Sequence, residues 1–160
     1  MSLVIRDGGA KDAGLVFSLV TALADYEKLA HEVVATERDF AKALENGHAY
    51  VLIAEWEGEP CGLALYFHNF STFLGRRGIY LEDLFVKESH RGKGVGKALL
   101  VRLAEIAVEK NCGRLEWAVL DWNAPSIAFY DSLEARPMKE WIVYRLAGAP
   151  LEKLAAESGS

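Results

Sequence analysis

The stretch Ser89-His90-Arg91-Gly92-Lys93-Gly94-Val95-Gly96-Lys97-Ala98-Leu99-Leu100 places three glycines and three cations between Arg91 and Lys97 and runs straight into an apolar helical pattern. Glycines expose backbone N–H groups with no Cβ to hold a ligand away, and a helix beginning there adds the positive end of its dipole. Arg91, Gly92, Lys93, Gly94, Val95, Gly96 and Lys97 therefore read as an anion-binding turn. The alternative is a turn chosen for tight packing, with cations that are merely solvated. A nucleotide P-loop is excluded: Gly96-Lys97 fits its G-x-x-x-x-G-K-[ST] pattern, but Arg91 stands at the first glycine and Ala98 at the hydroxyl. The dinucleotide pattern G-x-G-x-x-G fails at Lys97 when begun at Gly92 and at Leu99 when begun at Gly94.

Just upstream, the run IYLEDLFV (Ile79 to Val86) carries two adjacent carboxylates, Glu82 and Asp83. Adjacent strand residues face opposite sides of a sheet, so both can address one ligand only if the strand is bulged. Which of the two faces a ligand stays open, and an exposed acidic pair at a strand end is the plainer reading. Cys61 and Cys112 have apolar neighbours and predict two buried thiols rather than a disulfide or metal site. His31, His48, His68 and His90 lack the spacing of a metal motif, so no metal is expected.

These groups need a frame. Leu3 to Arg6 reads as a first strand, and Asp12 precedes a helix whose Leu15, Val16, Leu19, Val20 and Leu23 share one face. Thr36 with Asp39 forms a capping box for a second helix, which Gly47 stops. Ala49 to Trp56 and Cys61 to Phe70 read as a hairpin around Glu57-Gly58-Glu59-Pro60. After the polar loop STFLGRRG come the acidic strand and a helix to about Asn111, stopped by Gly113. Arg114 to Leu120 reads as a strand, Pro125 opens a short helix to about Leu133, and Trp141 to Leu146 reads as the strand that closes the sheet. Hairpins make antiparallel pairs and the helical crossover from Ile79 to Leu120 makes a parallel one, so the fold class is α/β (α+β) with a mixed, mostly antiparallel sheet.

The 160 residues suit one hydrophobic core, and 51% hydrophobic with 26% charged residues is the balance of a globular chain. A single domain over residues 1–148 with a tail at 149–160, helical over Leu151 to Ala156, is expected. No apolar run reaches the roughly 20 residues that cross a bilayer, and MSLVIRDGG lacks a signal-peptide layout, which predicts a cytoplasmic protein with no membrane partner. A formal charge of −5 disfavours nucleic acid and is compatible with a cationic small molecule.

Arg91, Gly94 and Gly96 after YLEDLFV resemble the acyl-CoA diphosphate loop of the GNAT N-acetyltransferase superfamily, and Asn123 to Tyr130 within LDWNAPSIAFY resembles its N-x-x-[AS]-x-x-x-Y segment. With LADYEKL and RGKGVG, the chain looks most like the diamine (spermidine/spermine) and thialysine acetyltransferases, from about Leu3 to Gly148. The resemblance implies a GNAT fold with helices on both faces of the sheet, and transfer of acetyl from acetyl-CoA, the cosubstrate, to a polyamine, diamine or lysine-like amine in a ternary complex. By the same resemblance Glu82 is the base, through a water, and Tyr130 the acid for the CoA thiolate. Leu84, Phe85 and Val86 offer main-chain bonds to the pantetheine arm, the Phe85 N–H faces the oxyanion, and Asn123 and Ser126 also bind the cofactor. Tyr26, Glu27, Glu82, Asp83, Glu116 and Trp141 line the acceptor site, and the assembly is a homodimer. A protein or peptide amine acetyltransferase and a non-catalytic acyl-CoA sensor are the alternatives. The chain departs from its relatives where Leu133-Glu134-Ala135 replaces Leu-Gly-Ala, putting Glu134 at a left-handed turn position that costs roughly 1 kcal/mol.

Overall fold

The computed structural model describes residues 2–158. Its contacts divide the chain into two compact units, one ending at Leu120 and the other starting at Asp121.

The first unit is built on strands β1 (Leu3–Asp7), β2 (Tyr50–Trp56), β3 (Glu59–Phe67), β6 (Ile79–Val86) and β7 (Leu115–Trp117), in the spatial order β1-β2-β3-β6-β7. All neighbours are antiparallel except β6 and β7, which the helical crossover makes parallel. Between β3 and β6 lies a small hairpin, β4 (Phe70–Ser71) with β5 (Arg76–Arg77), which begins at the last residue of the expected strand and otherwise lies in the segment expected to be a polar loop. Cys61–Phe70 accordingly is not one strand: the ladder stops at Phe67 and restarts in the hairpin at Phe70. The β2–β3 turn is the two residues Glu57 (φ 52°) and Gly58 (φ 82°), so Glu59 and Pro60 belong to β3. Two left-handed residues give the turn the twist a tight hairpin needs.

Helices α1 (Ala13–Tyr26) and α2 (Glu37–Glu45) cover one face, where Val16, Leu19 and Leu23 pack on Val51, Ile53, Leu63, Leu65 and Phe85. Helix α3 (Val95–Glu109) packs on the alternate set of strand residues through Val95, Leu99, Leu103 and Ile106. The Thr36–Asp39 capping box forms in both directions, Thr36 N donating to Asp39 Oδ2 at 2.8 Å and Asp39 N to Thr36 Oγ1 at 3.3 Å. The stop of α3 differs from expectation: Asn111 takes the left-handed conformation (φ 56°), while a Cβ on Gly113 would lie 2.5 Å from Leu74 Cδ1, so that glycine serves close packing. Cys61 is buried, whereas Cys112 is only half-buried, because it follows the exposed end of α3.

The second unit contains α4 (Ala124–Ser132), with Pro125 in its first turn, and α5 (Gly148–Ala155). Glu134 has φ 64°, as the missing glycine predicts. The strand expected at Arg114–Leu120 is paired only at Leu115–Trp117, and Trp141–Leu146 joins no ladder among the described residues. The aromatic and β-branched run of Trp141–Leu146 suits a pleated surface, but propensity does not supply the edge a strand must pair with.

Candidate active site

The β3–β6 ladder is irregular at the acidic pair. Leu65 pairs with Asp83 and Tyr66 with Leu81, so consecutive residues of β3 skip Glu82, which forms a β-bulge. A one-residue insertion flips every later side chain to the other face. Phe67 pairs with Tyr80 and Leu63 with Phe85, placing Tyr80, Asp83 and Phe85 on the face that carries Leu63, Leu65 and α1. A regular strand would have put Glu82 and Leu84 there instead. The bulge thus answers the question of which carboxylate faces inward: Asp83 is half-buried on the α1 side and Glu82 is exposed.

The electrostatics follow from that placement. Burial, then the nearby charges of Glu82 and Glu27, push the Asp83 carboxyl up to about 6 from its ordinary 3.8. Glu27, just past the end of α1, is also raised by burial. Tyr80 is raised by burial and then by Glu82 and Glu116. Glu116 pairs with Tyr80 across the parallel ladder and accepts a hydrogen bond from Asn69 Nδ2 at 3.3 Å. Glu27, Asp83, Glu82 and Glu116, all expected at the acceptor site, therefore share one electrostatic neighbourhood.

Among the described residues the second edge of β6 has no partner strand beyond Leu81, since β7 pairs only with Ile79, Tyr80 and Leu81. That leaves the edge at Leu84, Phe85 and Val86 free of a ladder, as the resemblance requires for a pantetheine arm. Directly after it, the turn into α3 has the form an anion needs. Gly92 (φ 78°) and Gly94 (φ 81°) are left-handed, and a Cβ on either would point into open space. Gly94 is the N-cap of α3, and no side chain among the described residues caps the helix there, an arrangement in which the first amides of a helix can bind an anion. The residues present thus fit a diphosphate.

The cations of the turn are anchored in ways the spacing did not reveal. Arg91 Nε donates to the Val86 carbonyl at 3.0 Å, and its guanidinium lies 4.8 Å from the Tyr26 ring centre and 5.6 Å from that of Phe85. Lys93 Nζ sits 4.9 Å over Trp56, whose ring also meets His90 edge-on at 6.2 Å. Lys97 is exposed on α3. Trp56 was missed in the sequence because it lies far upstream; only the β2–β3 register brings it to this end of the sheet.

In the second unit, Asn123 is buried and caps α4, its Oδ1 accepting from Ser126 N at 3.4 Å. Tyr130 lies half-buried on α4, its ring 5.7 Å from Phe129. Trp141 is exposed.

Comparison with known proteins agrees with this geometry. Residues 18–134 match the Acetyltransferase (GNAT) family. The chain is 36% identical over 169 residues to a thialysine N-epsilon-acetyltransferase of Sus scrofa, covering 98% of this chain and 99% of that protein. It is 30% identical over 197 residues to L-ornithine N5-acetyltransferase NATA1 of Arabidopsis thaliana, covering 94% and 86%. Among solved structures, an integron cassette protein from the mobile metagenome of V. cholerae matches with a TM-score of 0.79 at 31% identity, over 97% and 98% of the two chains. With the open-edged strand, the uncapped glycine turn and these matches in agreement, the chain belongs to the GNAT family of acetyltransferases.

Proposed function

We propose that the protein transfers acetyl from acetyl-CoA to a primary amine of a small cationic acceptor, a polyamine, diamine or lysine-like molecule, by direct attack. The observation that carries the acceptor class is the group of carboxylates around Asp83, which draws an ammonium and repels an anion. The printed names of the relatives, a thialysine and an ornithine acetyltransferase, point to the same class.

Acetyl-CoA supplies the activated acyl group; the chain's own residues bind it and handle protons. Backbone amides of Gly92 to Gly96 hold the diphosphate, with Arg91, Lys93 and Lys97 adding charge, and the open edge at Leu84–Val86 orients the thioester arm. Asn123 and Ser126 contribute to the same cofactor. An alkylammonium with a pKa near 10.4 must lose a proton before it can attack. A carboxylate of the Glu82–Asp83 pair takes it, Glu82 by resemblance to the family, and Tyr130 protonates the departing thiolate. Tyr26, Glu27, Glu116 and Trp141 complete the acceptor set. We place this chemistry in one domain over residues 1–148, in a cytoplasmic homodimer that requires neither metal nor nucleic acid.

The test is acetyl-CoA consumption against a panel of diamines, polyamines, lysine analogues and peptides. Turnover with small diamines or lysine-like amines is expected, and turnover only with peptides, or none, overturns the reading. Tyr130→Phe is expected to lower kcat by about 10² to 10⁴ with CoA affinity retained; full activity would remove the phenol from the mechanism.

A further inference from the structure

We propose that the cavity between the end of α3 and strands β1, β2 and β3 is a second ligand site, one that takes a small α-amino acid with an apolar side chain. The inference goes beyond acetyl transfer and does not depend on it.

The cavity measures about 220 Å³ and lies on the sheet face that α3 covers. From α3 it takes Arg102, Ile106, Glu109 and Lys110, the half of the helix away from the glycine turn. At about 1.5 Å per residue, Lys110 stands about 20 Å along the helix from Val95, so the site is separate from the turn that suits a diphosphate. Its volume is below the roughly 300 to 1,000 Å³ of a pocket for a drug-sized molecule, which limits the occupant to a small metabolite.

Its walls are held before anything binds. Gly8 donates its N–H to the Val51 carbonyl at 2.8 Å, and a Cβ on Gly8 would lie 2.5 Å from Val51 Cγ1, so the end of β1 closes on β2 because that side chain is missing. Tyr50 and Tyr66 are register partners on β2 and β3, with rings stacked 5.5 Å apart. His68 meets both rings edge-on, at 5.5 and 6.2 Å, while its Nδ1 lies 3.0 Å from the Gly78 carbonyl oxygen.

Three polar groups lining this space lack a partner. Tyr66 is 5% exposed, yet its hydroxyl makes no hydrogen bond among the described residues, although a phenol so buried ordinarily finds one. Burial, then Asp7 and Tyr50, raise that phenol while Arg102 opposes them, so it stays protonated and can donate. The Asp7 carboxylate makes neither an ion pair nor a hydrogen bond among the described residues. Lys110 Nζ likewise makes no ion pair there and lies 5.6 Å from the Tyr50 ring centre. Arg102, in contrast, is engaged by Glu105 and Glu109 at 3.6 and 3.3 Å.

These unmet groups define the ligand. Asp7 calls for an ammonium, Lys110 for a carboxylate, and the Tyr66 hydroxyl for an acceptor that the same carboxylate supplies. Val51, Ile106 and the tyrosine rings offer apolar surface to a side chain. A polyamine would meet like charge at Lys110 and Arg102, and a simple anion would meet it at Asp7 and Glu109. A zwitterion with an apolar body satisfies both.

The experiment titrates isotope-labelled full-length protein with L-leucine and with L-phenylalanine, reading the backbone amide resonances of Gly8, Ile106 and Lys110. Isocaproate and isoamylamine, which keep the leucine side chain but carry one charge each, are the comparison probes. At least one amino acid is expected to shift those amides saturably, with both single-charge probes about 10-fold weaker or more. Asp7→Asn and Lys110→Gln should each weaken the amino acid about 10-fold, and Tyr66→Phe about 3- to 10-fold. No shift at these amides with either amino acid up to its solubility limit overturns the proposal. Binding of a single-charge probe as tight as that of leucine overturns the ligand class, and unaltered affinity in Asp7→Asn or in Lys110→Gln overturns the site. Asp7 and Lys110 are exposed, so their variants decide the matter even where Tyr66→Phe does not fold.

Discussion

Asp83 shows what the placement of one residue costs in stability. An aspartate held near 6 in the folded chain binds a proton more readily than it does when unfolded, where its value is 3.8. Ionising it therefore costs the folded state free energy, and the cost grows as pH rises through that window. The full difference corresponds to at most about 3 kcal/mol. Asp83→Asn is accordingly expected to be more stable than wild type at pH 8 by about 1 to 3 kcal/mol, with the advantage shrinking toward pH 4. Denaturant unfolding at the two pH values checks this, and a variant less stable than wild type at both would show that the carboxylate is held by donors rather than stranded. The identities Glu82 and Asp83 were plain in the sequence, but their facing was not. Parity along a strand is lost at a bulge, and the bulge is a property of the β3–β6 pair.

At the scale of elements, the site depends on β3 and β6 approaching closely at Gly62. A Cβ there would lie 2.7 Å from the Phe85 carbonyl oxygen and 3.4 Å from Val86 Cα, both backbone atoms that cannot swing aside. Gly62→Ala is expected to destabilise the protein by about 1 to 3 kcal/mol and to raise the KM for acetyl-CoA, because the strand it displaces carries the open edge and leads into the glycine turn. Thermal unfolding together with steady-state kinetics checks both parts; an unperturbed KM in a folded variant would mean that the edge tolerates displacement. Local signals served well where a few consecutive residues settle the outcome. Thr36 with Asp39 marked the start of α2, Pro125 the first turn of α4, and the lost glycine at Glu134 a left-handed residue. They served poorly for Trp141–Leu146 and for Gly113. In the first, a strand-like pattern lacks a ladder, and in the second a glycine that looked like a helix stop answers to Leu74 across the fold.

At the scale of the molecule, the buried apolar side chains of the described residues all lie in the unit up to Leu120, while from Asp121 onward the buried residue among those described is Asn123. A ligand that binds the folded chain stabilises it in proportion to the logarithm of its concentration. CoA at about 100 times its Kd should add about 2.7 kcal/mol, raising Tm by roughly 5 to 10 °C for a chain of this length. Gly94→Ala, which forces a side chain into a left-handed position at the N-cap of α3, should lose most of that gain. No shift with CoA in wild type would remove the diphosphate from the glycine turn.

The sequence by itself determined the chemistry available and the order of elements, because residue type, helix caps and glycine spacing are local and act within a few positions. It was enough to specify a mixed sheet, a glycine-rich cationic turn that is not a nucleotide motif, and an acidic pair beside it. The tertiary structure alone decided which carboxylate is half-buried, that Tyr26 and Trp56 carry Arg91 and Lys93 of the turn, and where the sheet ends. Those outcomes depend on register between strands distant in the chain, and a shift of one residue in register exchanges the faces of everything that follows.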